Sequence, residues 1–79
     1  MEGQLLSSRE DVELRLTERE LACLRWVVAG KTNPEIADIL HIAEGTVGQH
    51  LKKASTKLQA LNRAHLCVRA VVLGLVVPE

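Results

Sequence analysis

The fold is decided by residues 33–58, which read NPEIADILHIAEGTVGQHLKKASTKL. The spacing of the apolar residues predicts a short helix over residues 33–40 and a longer helix over residues 44–58. A turn of about four residues separates the two helices, and this arrangement is typical of a helix-turn-helix unit.

The longer of these helices has two different sides. Its apolar residues recur at helical spacing and predict a buried stripe of Val47, Leu51, Ala54 and Leu58. The opposite side carries Gln49, Lys52, Lys53 and Thr56. A helix that is held by its apolar side and presents an amide and two ammonium groups suits the major groove of DNA.

Composition limits the class of protein. A chain of 79 residues forms one small domain with a thin core. Apolar residues make up 47% of the chain, which is too many for a disordered segment. Trp26 is the one aromatic residue, which disfavours the stacking platforms that bind single-stranded nucleic acid.

Charge is distributed unevenly along a chain whose formal net charge is zero. Residues 45–78 contain five basic side chains and no acidic one. A basic half is the electrostatic footprint expected for an anionic partner, although a solvated helix face explains the charge alone equally well.

We predict no catalytic residue, metal site, cofactor or small-molecule site. Cys23 and Cys67 lie in apolar helical segments, which is typical of buried free thiols in a reducing cytosol. Their spacing from the histidines is not one that binds a metal ion. The chain has neither a phosphate-cradling glycine loop nor a nucleophile beside a base. It also lacks an apolar run of about 18 residues, so we expect no membrane partner and a cytoplasmic location.

The rest of the chain predicts an all-α, four-helix bundle. Thr17 and Glu20 form a capping box that starts a helix over residues 17–29, and Asn62 caps a helix over residues 62–73. We assign Asn33 as the N-cap of the helix over residues 33–40. Residues 1–15 are predicted to be a linker or N-terminal extension, and residues 16–79 the domain.

The last helix is more apolar than packing on one side requires. A four-helix chain of this size can hardly surround it, so we predict a homodimer contact along it. The candidate contact residues are Leu66, Val68, Arg69, Val72 and Leu73.

The chain resembles a known family in the order and spacing of its residues from Leu16 to about Leu75. The matching residues are Leu16-Thr17-Glu18-Arg19-Glu20, Gly30-Lys31-Thr32-Asn33, Glu35-Ile36-Ala37, Leu40, Ile42, Thr46-Val47, His50-Leu51, Lys57-Leu58 and Asn62-Arg63. They look like the LuxR-type DNA-binding domain of bacterial transcription regulators, and Trp26 with residues 30–32 is more similar to the quorum-sensing branch.

This resemblance implies a homodimer docked through the last helix, with the third helix in the major groove of an inverted-repeat promoter site. It also implies RNA polymerase as a partner and association with the nucleoid. In the family a signal-acceptor domain precedes this one, so we expect either an excised C-terminal piece or a stand-alone regulator.

The candidate DNA contacts follow from position. Gln49 and Lys52 are predicted to read bases, since an amide pairs with adenine and an ammonium reaches guanine. The predicted phosphate contacts are Lys31, Thr46, Lys53 and Lys57. For each lysine the alternative is an exposed side chain with no partner. Arg63 is predicted to brace the turn between the third and fourth helices.

Three residues depart from the family pattern. Ala43 stands where Ser or Thr usually caps the third helix, which weakens that helix start by about 1 kcal/mol. Gly48 stands where a basic or amide residue is usual, and Pro34 replaces a residue that is often basic. These departures put DNA affinity in doubt and leave open an alternative function, a protein-interaction module that modulates full-length relatives.

Overall fold

A computed structural model describes residues 15–77, which form four helices and contain no strand within that range. The helices are α1 (Glu18–Val28), α2 (Asn33–Leu40), α3 (Glu44–Leu58) and α4 (Arg63–Val72). The all-α class and all four predicted helices are confirmed. Residues 1–14, most of the predicted linker, lie outside the described residues.

Local capping determines where α1 and α4 begin. The Thr17 hydroxyl accepts from the Glu20 amide at 3.1 Å, and Glu20 Oε1 accepts from the Thr17 amide at 3.1 Å. Asn62 Oδ1 accepts from the His65 amide at 2.8 Å. Both predicted caps are confirmed. After α1 the chain turns at Gly30, whose φ of 91° favours glycine.

The predicted cap of α2 is wrong by one residue. Thr32, not Asn33, is the N-cap: the Glu35 carboxylate accepts from the Thr32 amide at 2.8 Å, and the Thr32 hydroxyl accepts from the Glu35 amide at 3.4 Å. Hydrogen bonds from the Thr32 backbone and side chain lower the pKa of Glu35. The spacing Thr-x-x-Glu was the signal that identifies this cap, and it leaves the Asn33 side chain available for other contacts.

Helix α3 begins without a side-chain cap. Ala43 occupies the N-cap position in an extended conformation and makes no side-chain hydrogen bond there, as predicted. The turn before it closes through His41, whose φ is 59°, and through a hydrogen bond from the Ile42 amide to the Ala37 carbonyl at 3.1 Å. Packing, rather than capping, therefore holds α3 in place.

The predicted apolar stripe of α3 lies in the centre of the core. Val47, Leu51, Ala54 and Leu58 are all buried. Apolar residues of the other helices pack around them: Cys23, Leu24 and Val27 of α1, Ile36 and Ala37 of α2, and Leu66 and Ala70 of α4. Because the stripe is covered on its own side by three helices, the opposite side of α3 is left facing outward.

The segment after α4 folds back onto the core. Gly74 has a φ of 74°, and the amides of Gly74 and Leu75 donate to Val71 and Ala70 at 3.0 and 2.9 Å. This reversal is a Schellman-type helix end. It buries Leu75 and Val76, which are 8% and 7% exposed. Part of the apolar surface in the last segment is therefore covered within the chain itself.

Candidate nucleic-acid interface

The outer face of α3, formed by Gln49, Lys52, Lys53 and Thr56, is exposed along its whole length. The neighbouring residues Val47 and Leu51 are 0% and 7% exposed, so the helix is held from beneath. The Thr56 hydroxyl donates to the Lys52 carbonyl at 3.1 Å and stays within the helix. The amide of Gln49 and the ammonium groups of Lys52 and Lys53 therefore project from the same side of a helix whose opposite side is packed in the core.

Thr46 lies at the start of α3 and is half-buried. Its amide donates to the Ala43 carbonyl at 3.0 Å, so this group is already used within the first turn. The hydroxyl is the group of Thr46 that is left for a phosphate.

Lys57 has a partner inside the molecule. Its ammonium lies 2.8 Å from Glu20 Oε1, and the Glu20 side chain is 2% exposed while that of Lys57 is 30% exposed. Burial raises the pKa of Glu20, but hydrogen bonds from Lys57 and from the Thr17 backbone outweigh it and leave the pKa below its ordinary value. Lys57 therefore joins α3 to α1, and its ammonium already has an anionic partner within the chain.

Arg63 connects parts of the chain other than those predicted. Its Nη1 donates to Asn33 Oδ1 at 2.9 Å and its Nη2 donates to the Lys31 carbonyl at 3.0 Å. The guanidinium thus ties the beginning of α4 to the loop before α2, where the Lys31 side chain is half-exposed. The sequence predicted that Arg63 braces the turn between α3 and α4, and that prediction was wrong.

Gly48 lies on α3 one residue before Gln49. A Cβ atom placed there would come within 4.0 Å of Asn33 Nδ2, an ordinary van der Waals distance, and would meet nothing closer. Packing within the protein therefore does not require glycine at position 48. Glycine lowers the stability of a helix interior by about 1 kcal/mol relative to alanine.

The predicted contact surface on α4 divides into two sides. Val68 and Val72 are 56% and 72% exposed. Leu66 is 2% exposed and packs in the core, so its assignment to the contact surface was wrong. Arg69 is half-buried and its Nε donates to the Leu58 carbonyl at 3.0 Å, while Leu73 packs partly against the core.

Other kinds of site find little support in the described range. Cys23 and Cys67 are free thiols, and burial raises the pKa of Cys23. Across residues 15–77 no three metal-ligating side chains come together. No helix in that range has the length and apolar character needed to cross a membrane.

The family model described as bacterial regulatory proteins, luxR family, matches residues 14–70. The chain belongs to this family. Its members are DNA-binding transcription regulators and not enzymes, in agreement with the sequence prediction.

Individual relatives agree with the family match. The chain is 48% identical over 65 residues to the quorum sensing-dependent transcriptional regulator VjbR of Brucella ovis, covering 81% of the chain and 25% of VjbR. It is 47% identical over 62 residues to the transcriptional activator AnoR of Acinetobacter nosocomialis, covering 78% and 26%. It is 48% identical over 62 residues to the regulator RpaR of Rhodopseudomonas palustris, with the same coverage. The chain thus spans about a quarter of the length of these relatives.

Proposed function

We propose that this luxR-family chain binds double-stranded DNA in a sequence-specific way and so regulates transcription in the bacterial cytoplasm. One observation carries the proposal: Gln49 and Lys52 are exposed on α3, while Val47 and Leu51 of the same turns are buried. A rigid helix that presents hydrogen-bonding side chains outward fits the major groove, where each base pair has its own pattern of donors and acceptors.

Each polar group at this face has a role that suits its chemistry. The Gln49 amide pairs with adenine, and the Lys52 ammonium reaches the O6 and N7 acceptors of guanine. Lys53, Lys31 and the Thr46 hydroxyl bind phosphate oxygens and hold the helix in register. The stretch from residue 45 to residue 77 contains no acid that would oppose these contacts.

The binding unit is a homodimer that pairs through Val68 and Val72 of α4. These two side chains lie one turn apart on the same side of the helix and are both exposed. A monomer with a few phosphate contacts binds DNA weakly at physiological salt. Two copies joined through α4 engage two half-sites about 34–36 Å apart, which raises the affinity through effective concentration.

The quorum-sensing names of the relatives suggest that the chain is the output domain of a signal-controlled regulator. The direct test is selection of bound duplexes from a random pool by the 79-residue chain. We expect recovery of an inverted-repeat site. Recovery of a single half-site would refute the dimer, and absence of binding to any duplex at low salt would favour the protein-interaction module.

A further inference from the structure

An apolar groove of about 540 Å³ opens on the side of the domain formed by α1 and the segment after α4. Its lining includes Trp26, Val28, Leu40, Val76, Val77 and, as its charged residue, Arg25. We infer that the N-terminal segment of the chain itself, residues 1–14, docks in this groove through Leu5 and Leu6. The inference is independent of the proposed function, because no residue that lines the groove belongs to α3.

The groove presents apolar surface on a well-packed base. Leu75 and Val76 are buried against the core and line the groove from beneath. Val77 is 82% exposed at the edge, and Trp26 is only half-buried. Removing apolar surface from water is favourable in proportion to its area, so the groove suits an occupant with large apolar side chains.

The composition of residues 1–14 matches the groove. Leu5 and Leu6 are the one adjacent pair of large apolar residues in that segment. The same segment has four acidic side chains and one basic side chain. Arg25 is exposed at the groove and forms no ion pair with another residue in the range 15–77. An apolar pair on an acidic segment thus meets an apolar groove with a cation beside it.

The connection to α1 favours this occupant over a second copy of the chain. Helix α1 has 11 residues, so it is about 16 Å long, and the groove lies along its C-terminal half. The chain from Leu6 to Arg15 can span up to about 30 Å when it is extended, which is enough to pass along α1. A segment tethered in this way has an effective concentration on the order of 1 mM, which a second copy at micromolar concentration does not match.

Trp26 reports on the groove, because it is the one tryptophan of the chain. The test compares the double variant Leu5→Ser, Leu6→Ser with Leu61→Ser in the 79-residue chain. Leu61 is 88% exposed and does not line the groove. We expect the double variant to shift the emission of Trp26 to longer wavelength and to increase its quenching by acrylamide. Leu61→Ser should leave both as in the wild type.

A peptide with the sequence of residues 1–9 tests the role of the tether. Added to the double variant, it should restore the emission of the wild type only at a concentration on the order of 1 mM, because the covalent connection is lost. The same peptide with both leucines replaced by serine should have no effect.

A substitution in the groove tests where the segment docks. Ala29 is exposed at the C-cap of α1 and lines the groove, so Ala29→Glu should displace the segment by placing a carboxylate there. Adding Leu5→Ser and Leu6→Ser to Ala29→Glu should then change quenching no further. Ala64 is exposed on α4 outside the groove, and in Ala64→Glu the same pair should cause its full effect.

Equal emission and quenching in the wild type and the double variant would overturn the inference, and so would additive effects of Ala29→Glu and the double variant. A wild-type signal that changes with protein concentration between about 1 and 100 μM would also overturn it and assign the groove to a second copy. These measurements need no DNA, so their failure is distinguishable from failure of the proposed function.

Discussion

The ion pair between Lys57 and Glu20 supports a prediction about stability. Lys57→Met keeps most of the aliphatic stem and removes the ammonium that lies 2.8 Å from a carboxylate with 2% exposure. Breaking a buried pair costs about 3–5 kcal/mol, and loss of a charged hydrogen bond costs about 1.5–3 kcal/mol. Because Lys57 is 30% exposed and Glu20 keeps its bond to the Thr17 amide, we expect a loss of about 2–3 kcal/mol.

The ion pair also predicts how the free energy of unfolding should change with pH in the wild type and in Lys57→Met. In the wild type the folded-state pKa of Glu20 lies below its ordinary value of 4.5, so the unfolded chain binds more protons between the two values. Glu20 therefore adds stability above pH 4.5, and this contribution is lost as the pH falls through the folded-state pKa. In Lys57→Met the hydrogen bond and the charge of Lys57 no longer lower the pKa of Glu20, while burial and the Thr17 hydrogen bond remain. The folded-state pKa of Glu20 should therefore rise, and its contribution to stability above pH 4.5 should shrink.

The assay is urea unfolding followed by circular dichroism at several pH values, with Lys53→Met as the matched control. Lys53 is exposed on the same helix, and its replacement should change the free energy of unfolding by less than about 0.5 kcal/mol. Glu20→Gln combined with Lys57→Met should recover part of the loss. If Lys57→Met is no more destabilising than Lys53→Met, or if its pH dependence matches that of the wild type, the assignment of this pair is refuted.

Three further predictions concern the N-cap of α3, the outer face of α3 and the exposed side of α4. Ala43→Ser should raise the free energy of unfolding by about 1 kcal/mol, because its hydroxyl can accept from a backbone amide in the first turn of α3; an unchanged urea midpoint would contradict this. Lys52→Ala should alter the preferred base near the centre of each half-site in a selection experiment, and recovery of the wild-type bases would remove Lys52 from the readout. Val72→Glu should raise the dimer dissociation constant at least about tenfold in sedimentation equilibrium, whereas Leu61→Glu, at a residue that is 88% exposed, should leave it unchanged.

Local interactions explain why most of the fold was predictable. A cap joins residues three apart, and a buried stripe repeats every three or four residues, so both are visible in a short window of sequence. The bounds of α2 and α3, the capping box at Thr17 and the missing cap at Ala43 were predicted in this way. The error at Asn33 arose between two adjacent residues that both cap helices well, and only Thr32 has a glutamate three residues later.

The candidate site was predictable in part for the same reason. The outward direction of Gln49 and Lys52 follows from the buried stripe of the same helix, so the periodicity of α3 alone was enough to predict it. The partners of Lys57 and Arg63 were missed. Glu20 is 37 residues from Lys57, and Asn33 is 30 residues from Arg63, and no periodic pattern connects them.

The amino-acid sequence by itself thus determined the four helices, the caps at Thr17 and Asn62 and the side of α3 that faces outward, because these depend on neighbours within one or two turns. Only the tertiary structure decided which basic residues remain available to DNA, that Leu66 faces the core, and that Leu75 and Val76 cover part of it. Those outcomes depend on how α1, α3 and α4 pack together. Packing brings a buried carboxylate to one lysine and leaves its neighbours on the same helix exposed to solvent.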